Sequence, residues 1–343
     1  SSITYKFRSF KMKKQLLIAA VAATMGTAAM ADVSITGDAK FEYFNTETST
    51  VSTNKTNTEV NLKLRGKSGD TTVVMDIAAN GGATASTAAG VTAISGTVVE
   101  DMYLTTKVGD VTVKGGNYST GTSAILGEIE NGGRANNKVT LSGSTGGVSW
   151  YAGNSATVGT GATQINGNMF VGASMDVAGW KVQAKHNSAT VDSFGISGEV
   201  SGVGIRLEQK NDTAANGDTT FGNVTYSTNG IDLAYAWLDS DKANQIDEDD
   251  SAIFAVENGI VTATTDTGNA QITAKTSVAG NTVTVKSGSV ENGIATGTDL
   301  DYTQIAVSRP LASGATFAAT YTDKDDSATT DTQILELDLS VKF

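Results

Sequence analysis

The chain has no cysteine, one histidine and one proline in 343 residues. Without thiols there is no disulfide framework, no thiolate metal site and no cysteine nucleophile. One histidine excludes any site built on two imidazoles, including most histidine-based zinc centres. An excess of positive charge is also lacking. Lys+Arg number 24 against 36 Asp+Glu, a formal charge of −12, so the basic footprint of a nucleic-acid binder is missing. A single proline with regular hydrophobic spacing does not describe a proline-rich disordered chain. What the chain does have is 38 glycines and heavy use of Thr, Ser, Ala, Asn and Val. Its length would allow two ordinary domains, but large β-barrels run long as single units.

Met12-Lys13-Lys14 opens a short basic segment. Residues 15–31 follow without a charge, carry the apolar run Leu16-Leu17-Ile18-Ala19-Ala20-Val21-Ala22-Ala23, and end in Ala29-Met30-Ala31. This is the layout of a secretory signal peptide over 12–31, cleaved between Ala31 and Asp32. The stretch is short and alanine-rich for a spanning helix, which needs about 20 strongly apolar residues. Residues 1–11 read as an upstream extension. From Asp32 onward 312 residues remain, with nineteen basic against thirty-six acidic side chains, a charge of −17.

After Ala31 the hydrophobic period is two, the mark of strands with two unlike faces. Val33, Ile35, Gly37, Ala39, Phe41 and Tyr43 share one face, and Ser34, Thr36, Asp38, Lys40 and Glu42 the other. Ile231, Leu233, Tyr235 and Trp237 repeat the pattern. The last segment is the clearest, with Leu335, Leu337, Leu339, Val341 and Phe343 alternating with Glu336, Asp338, Ser340 and Lys342. Connections alternate too. Short turns sit at 67–70, 109–110, 144–147, 178–179, 201–202, 228–230 and 309–314. Longer polar stretches lie near 45–56, 81–97, 118–136, 155–165, 188–192, 211–218, 240–299 and 323–331.

Short turns on one edge and long loops on the other are the layout of a transmembrane antiparallel β-barrel, with periplasmic turns and external loops. The expected class is all-β. Seven turns and eight loops join sixteen strands, the preferred count. The stretch 240–299 reads as an elaborated external loop, but it holds the strand-like pieces 252–256, 260–264, 270–275 and 282–286. It could add one hairpin to the wall, giving eighteen strands. A soluble all-β protein with a dry core would alternate in the same way.

Three segments resemble the general porins of Gram-negative outer membranes. Residues 32–44, Asp-Val-Ser-Ile-Thr-Gly-Asp-Ala-Lys-Phe-Glu-Tyr-Phe, are similar to the first porin strand. Residues 102–117 resemble the hairpin feeding the constriction loop. Residues 335–343 resemble the carboxy-terminal strand that assembly machinery reads, with its final Phe343. The resemblance implies a trimeric, water-filled barrel over 32–343 whose third external loop, 118–136, folds inward. Glu128, Glu130 and Arg134 would stand at that constriction. Asp38, Lys40, Asn61, Lys63, Arg65, Glu100 and Lys114 would line the wall, with Asn61 and Glu100 where porins often carry arginines.

The function so implied is passive diffusion of ions and small hydrophilic solutes, with a mild cation preference from the acids and the net charge. The implied partners are outer-membrane lipid, two further copies of the chain and the solutes, with no nucleic acid. No enzyme chemistry, cofactor or metal is expected. The acidic run Asp239, Asp241, Asp247, Glu248, Asp249 and Asp250 lacks EF-hand spacing, and no Gly-Lys-Ser/Thr follows the glycine pairs. The rival reading is a β-rich surface adhesin or layer protein that conducts nothing.

Overall fold

The structure is a computed structural model that describes residues 32–48, 51–85, 96–118, 135–155, 168–188, 191–212, 217–241, 267–291, 299–326 and 331–343. These form eighteen strands. The first six are β1 (Asp32–Thr48), β2 (Ser52–Ser68), β3 (Thr71–Ala85), β4 (Gly96–Val108), β5 (Val111–Tyr118) and β6 (Ala135–Thr145). Next come β7 (Val148–Ser155), β8 (Asn168–Val177), β9 (Trp180–Asn187), β10 (Val191–Val200), β11 (Val203–Asp212) and β12 (Gly217–Thr228). The last six are β13 (Ile231–Ser240), β14 (Thr267–Val278), β15 (Asn281–Glu291), β16 (Leu300–Pro310), β17 (Ala315–Asp326) and β18 (Thr332–Lys342).

Each strand pairs antiparallel with the next, and β1 pairs with β18 from Asp38↔Lys342 to Thr48↔Thr332. The sheet is therefore a closed barrel. Closure answers a physical demand, since a backbone group left unpaired in hydrocarbon costs several kcal/mol.

The sixteen strands preferred from the turn-and-loop count become eighteen, the alternative count. The additional hairpin is β14–β15, paired from Gly268↔Glu291 to Val278↔Asn281 inside the stretch read as an external loop. It was masked because the outward stripe of β14 is thin, with Ala270 and Ala274 flanking Ile272. Its turn is Ala279-Gly280, of the same Ala-Gly type as the turn at 178–179. Both turn residues have positive φ, 51° and 79°, which is the requirement of that turn type. All seven turns read from the sequence are present, so the turn rim has eight. The hairpin at 45–56 is tighter than expected. Its strands run through most of it, and Thr48 N–H donates to the Val51 carbonyl at 2.9 Å.

The burial pattern distinguishes a membrane barrel from a dry-cored sandwich. On β18, Leu335 and Leu339 are 38% and 47% exposed while Glu336 between them is 3% exposed. On β8, Met169 and Val171 point outward and Phe170 inward; on β13, Leu233 and Tyr235 point outward and Ala236 inward. The apolar stripe thus covers the outside, and the inside carries polar and charged side chains together with buried hydrophobics such as Phe170, Phe221, Leu238 and Val290. Along β16 the outward stripe runs from Arg309 near the turn rim to Asp301 near the loop rim. Eight residues at about 3.3 Å each, tilted about 40°, give an apolar band about 20 Å tall, close to the height typical of outer-membrane barrels. Trp150, Trp180 and Phe343 lie toward the turn rim of this band, and Trp237 and Tyr321 toward the loop rim.

Candidate functional site

The candidate site is the lumen wall. Because side chains alternate along each strand, the register assigns every wall residue to one face. Seventeen lysines and arginines fall among the described residues. Sixteen of them lie on the lumen face and Arg309 alone lies outside. Among the described side chains, twelve carboxylates share the lumen face. Eight others, Glu47, Asp192, Asp218, Asp239, Glu291, Asp301, Asp323 and Asp325, face outward near the loop rim.

The structure places Asp38, Lys40, Asn61, Lys63, Arg65 and Lys114 on the lumen face, as the alternation requires. Glu100 is the extra residue where the β3–β4 register shifts between Asp76 and Ile77. A cavity of about 480 Å³ opens there, lined by Asp38, Asn61, Lys63, Asp76, Glu100 and Lys342 among others. Glu128, Glu130 and Arg134, and Ala31 at the cleavage site, lie outside the described residues. Asp32 is the first residue of β1, and Phe343 closes the seam.

Cross-strand pairing sets the local electrostatics. Lys63 opposes Asp76, and its Nζ lies 3.1 Å from Asp76 Oδ2. Lys40 forms an ion pair with Glu42, whose other oxygen accepts from Asn57 Nδ2 at 2.8 Å. Asn61 Nδ2 donates to Glu59 Oε1 at 2.8 Å and to Asp38 Oδ2 at 3.3 Å. Asp76 directly opposes Asp101 across β3–β4, which places like charges face to face. One oxygen of each, Oδ1, is buried and accepts no hydrogen bond. Glu42, Glu336 and Asp338 bring carboxylate oxygens within 4.8 Å of one another and form the one grouping of metal-ligand type among the described residues. Lys40 and Asn57 already engage both oxygens of Glu42.

Several lumen residues escaped the reading of the sequence. Lys138, Lys185, Glu208 and Lys210 are buried on the inner face of β6, β9 and β11. Tyr103 and Tyr118 enclose Lys114, whose Nζ lies 3.7 Å and 3.9 Å from their ring centroids. Strict parity would have found the lysines. The tyrosine pair depends on a second register shift, between Gly116 and Tyr118, that no spacing rule reveals. On the far wall neutral side chains hydrogen-bond to one another beside Lys286 and Lys324. Tyr302 Oη donates to Gln271 Oε1 at 2.8 Å, Gln271 Nε2 to Thr273 Oγ1 at 2.9 Å, and Gln304 Nε2 to Thr322 Oγ1 at 3.2 Å. His186 lies on the outer face, 2.5 Å from Asp192 Oδ1 and away from the lumen.

No family model and no curated protein matches the chain. Solved structures share its fold. Pseudomonas aeruginosa OpdK, solved with vanillate, aligns with a TM-score of 0.64 at 13% identity, over 91% of this chain and 98% of that one. Pseudomonas aeruginosa OpdQ aligns with a TM-score of 0.63 at 12% identity, over 92% and 99%. Acinetobacter baumannii OccAB4 aligns with a TM-score of 0.64 at 9% identity, over 91% and 98%. The likeness extends nearly end to end in both directions, and at these identities it establishes the fold alone.

Proposed function

We propose that the protein is an outer-membrane channel through which small hydrophilic solutes and ions diffuse passively, without bond chemistry. One observation carries the reading. A closed barrel has a continuous apolar stripe outside and sixteen of seventeen described basic residues inside. A layer protein or adhesin gains nothing from that inversion, whereas a wet lumen requires it. Planar bilayers doped with the detergent-purified protein test this. Stepwise conductance is expected, and a protein that inserts yet never conducts would refute it.

Selectivity follows from where the charges sit. Among the described side chains the lumen wall carries sixteen basic against twelve acidic groups, although the chain from Asp32 carries −17. The excess acid lies on the rims and in the connections. We assign the mild cation preference to Glu128 and Glu130, and neutralising both should abolish it. The buried lysines of β6, β9 and β11 favour including small carboxylates among the solutes. The OpdK structure, solved with vanillate, gives that class a first compound to try. Export through the segment 12–31 and assembly as a homotrimer complete the proposal. Chemical cross-linking of membranes tests the trimer.

A further inference from the structure

Lys114 is the last basic residue of the wall before the connection 119–134, four residues from the end of β5. Its ammonium is held between two rings, 3.7 Å from the centroid of Tyr103 and 3.9 Å from that of Tyr118. The rings meet edge to face, 5.7 Å apart and 68° between planes. The Tyr103 ring is half-buried and the Tyr118 ring is held in place. Tyr103 stands across from Gly116, where a Cβ would collide with it. Tyr118 is 2% exposed, and its hydroxyl lies 2.5 Å from Thr140 Oγ1 and 3.4 Å from the Lys114 carbonyl oxygen. A lysine on an open wall samples many rotamers and spreads its charge over a wide volume. Two ring faces attract an ammonium, so this one stays in place. The groups facing it from neighbouring strands are Asp101, Asp76, Lys63 and Lys138.

We infer that Tyr103 and Tyr118 are positioning residues that fix Lys114 as a stationary positive charge in the lumen, and that this charge sets the anion share of the current. The inference rests on the channel reading above.

The test measures reversal potentials in planar bilayers under a tenfold KCl gradient. K114Q should lower the anion-to-cation permeability ratio about two- to fivefold, the range for one nearby charge in a wet, partly screened site. Y103L and Y118L should shift it in the same direction. Y103F and Y118F, which keep the ring faces, should match the parent. In the K114Q background, Y103L should add nothing, because the charge it positions is already gone. Additive shifts, or leucine variants with parental selectivity, would overturn the inference. Folding is checked by heat-modifiable gel migration, and if Y118L does not fold, Y103L alone decides. A parent protein that never conducts defeats the channel reading instead, so the two failures are distinguishable.

Discussion

Gly37 and Phe343 exchange two backbone hydrogen bonds, Gly37 N to Phe343 O at 2.8 Å and Phe343 N to Gly37 O at 2.9 Å. This pair is the turn-rim end of the seam that closes the barrel. The phenyl ring lies over Gly37, where an added Cβ would run into the Asn61 carbonyl oxygen and approach Phe343 Cζ to 3.1 Å. G37V should therefore open the end of the seam. Losing two backbone bonds, at about 1 kcal/mol each, destabilises by about 2 kcal/mol. The expected readout is a lower urea midpoint for loss of the heat-resistant band. F343A keeps both bonds and should cost less than G37V. If the two are equal, the ring and not the ladder holds the seam.

The tight turns carry a second, smaller strain. Ala279 sits at φ 51° before Gly280, a left-handed position that costs a residue with a Cβ about 1 kcal/mol and that Asn tolerates better. A279N should raise stability by about 0.5 kcal/mol. The same exchange at Ala178, φ 51° before Gly179, should behave alike. Equilibrium unfolding in detergent micelles measures both. A loss of stability in either variant would contradict the turn geometry.

These positions also show how far the sequence could be read. Alternation in 335–343 and 32–44 foretold the seam and its faces, because a one-residue slip would turn every leucine of β18 into the lumen. Lys63, Arg65 and Lys114 were placed for the same reason. The β14–β15 hairpin was ambiguous because the outward side chains of β14 are small. The facing of Asp76 and Asp101 was illegible, since it depends on a bulge that inserts Glu100 into β4. Bulges leave no periodic trace in a single sequence, yet they decide which charges meet.

The outer face offers a third test. Trp237 stands directly opposite Gly222 across β12–β13, and its ring occupies the space that a Cβ at Gly222 would need. Tyr235 stacks beside it at 5.7 Å between centroids. An aromatic laid over a cross-strand glycine covers backbone that lipid would otherwise touch. W237A removes the cover and an interfacial anchor together and should cost about 1–2 kcal/mol. Converting Gly222 to alanine as well should not restore stability, because alanine cannot replace the ring's reach along the band. Restoration by the double variant would show that bare backbone, and not the ring, was the deficit.

Asp76 and Asp101 give the sharpest separation of stability from function. They face one another on the lumen side, each with an oxygen that accepts no hydrogen bond, and Lys63 bonds to Asp76 alone. Like charges directly opposite in a sheet are unfavourable, with cross-strand pairs contributing about 0.2–1 kcal/mol. D101N removes one charge without removing bulk and leaves the Lys63–Asp76 pair intact. It should therefore leave the barrel slightly more stable, by a few tenths of a kcal/mol. A structural liability kept in the wall points to a role in conduction. The same variant should accordingly raise the anion-to-cation permeability ratio, opposite in sign to K114Q. D76N breaks the ion pair with Lys63 and should gain no stability, which separates the two aspartates. If D101N destabilises the barrel while its selectivity stays parental, the facing carboxylates serve the fold and not the current.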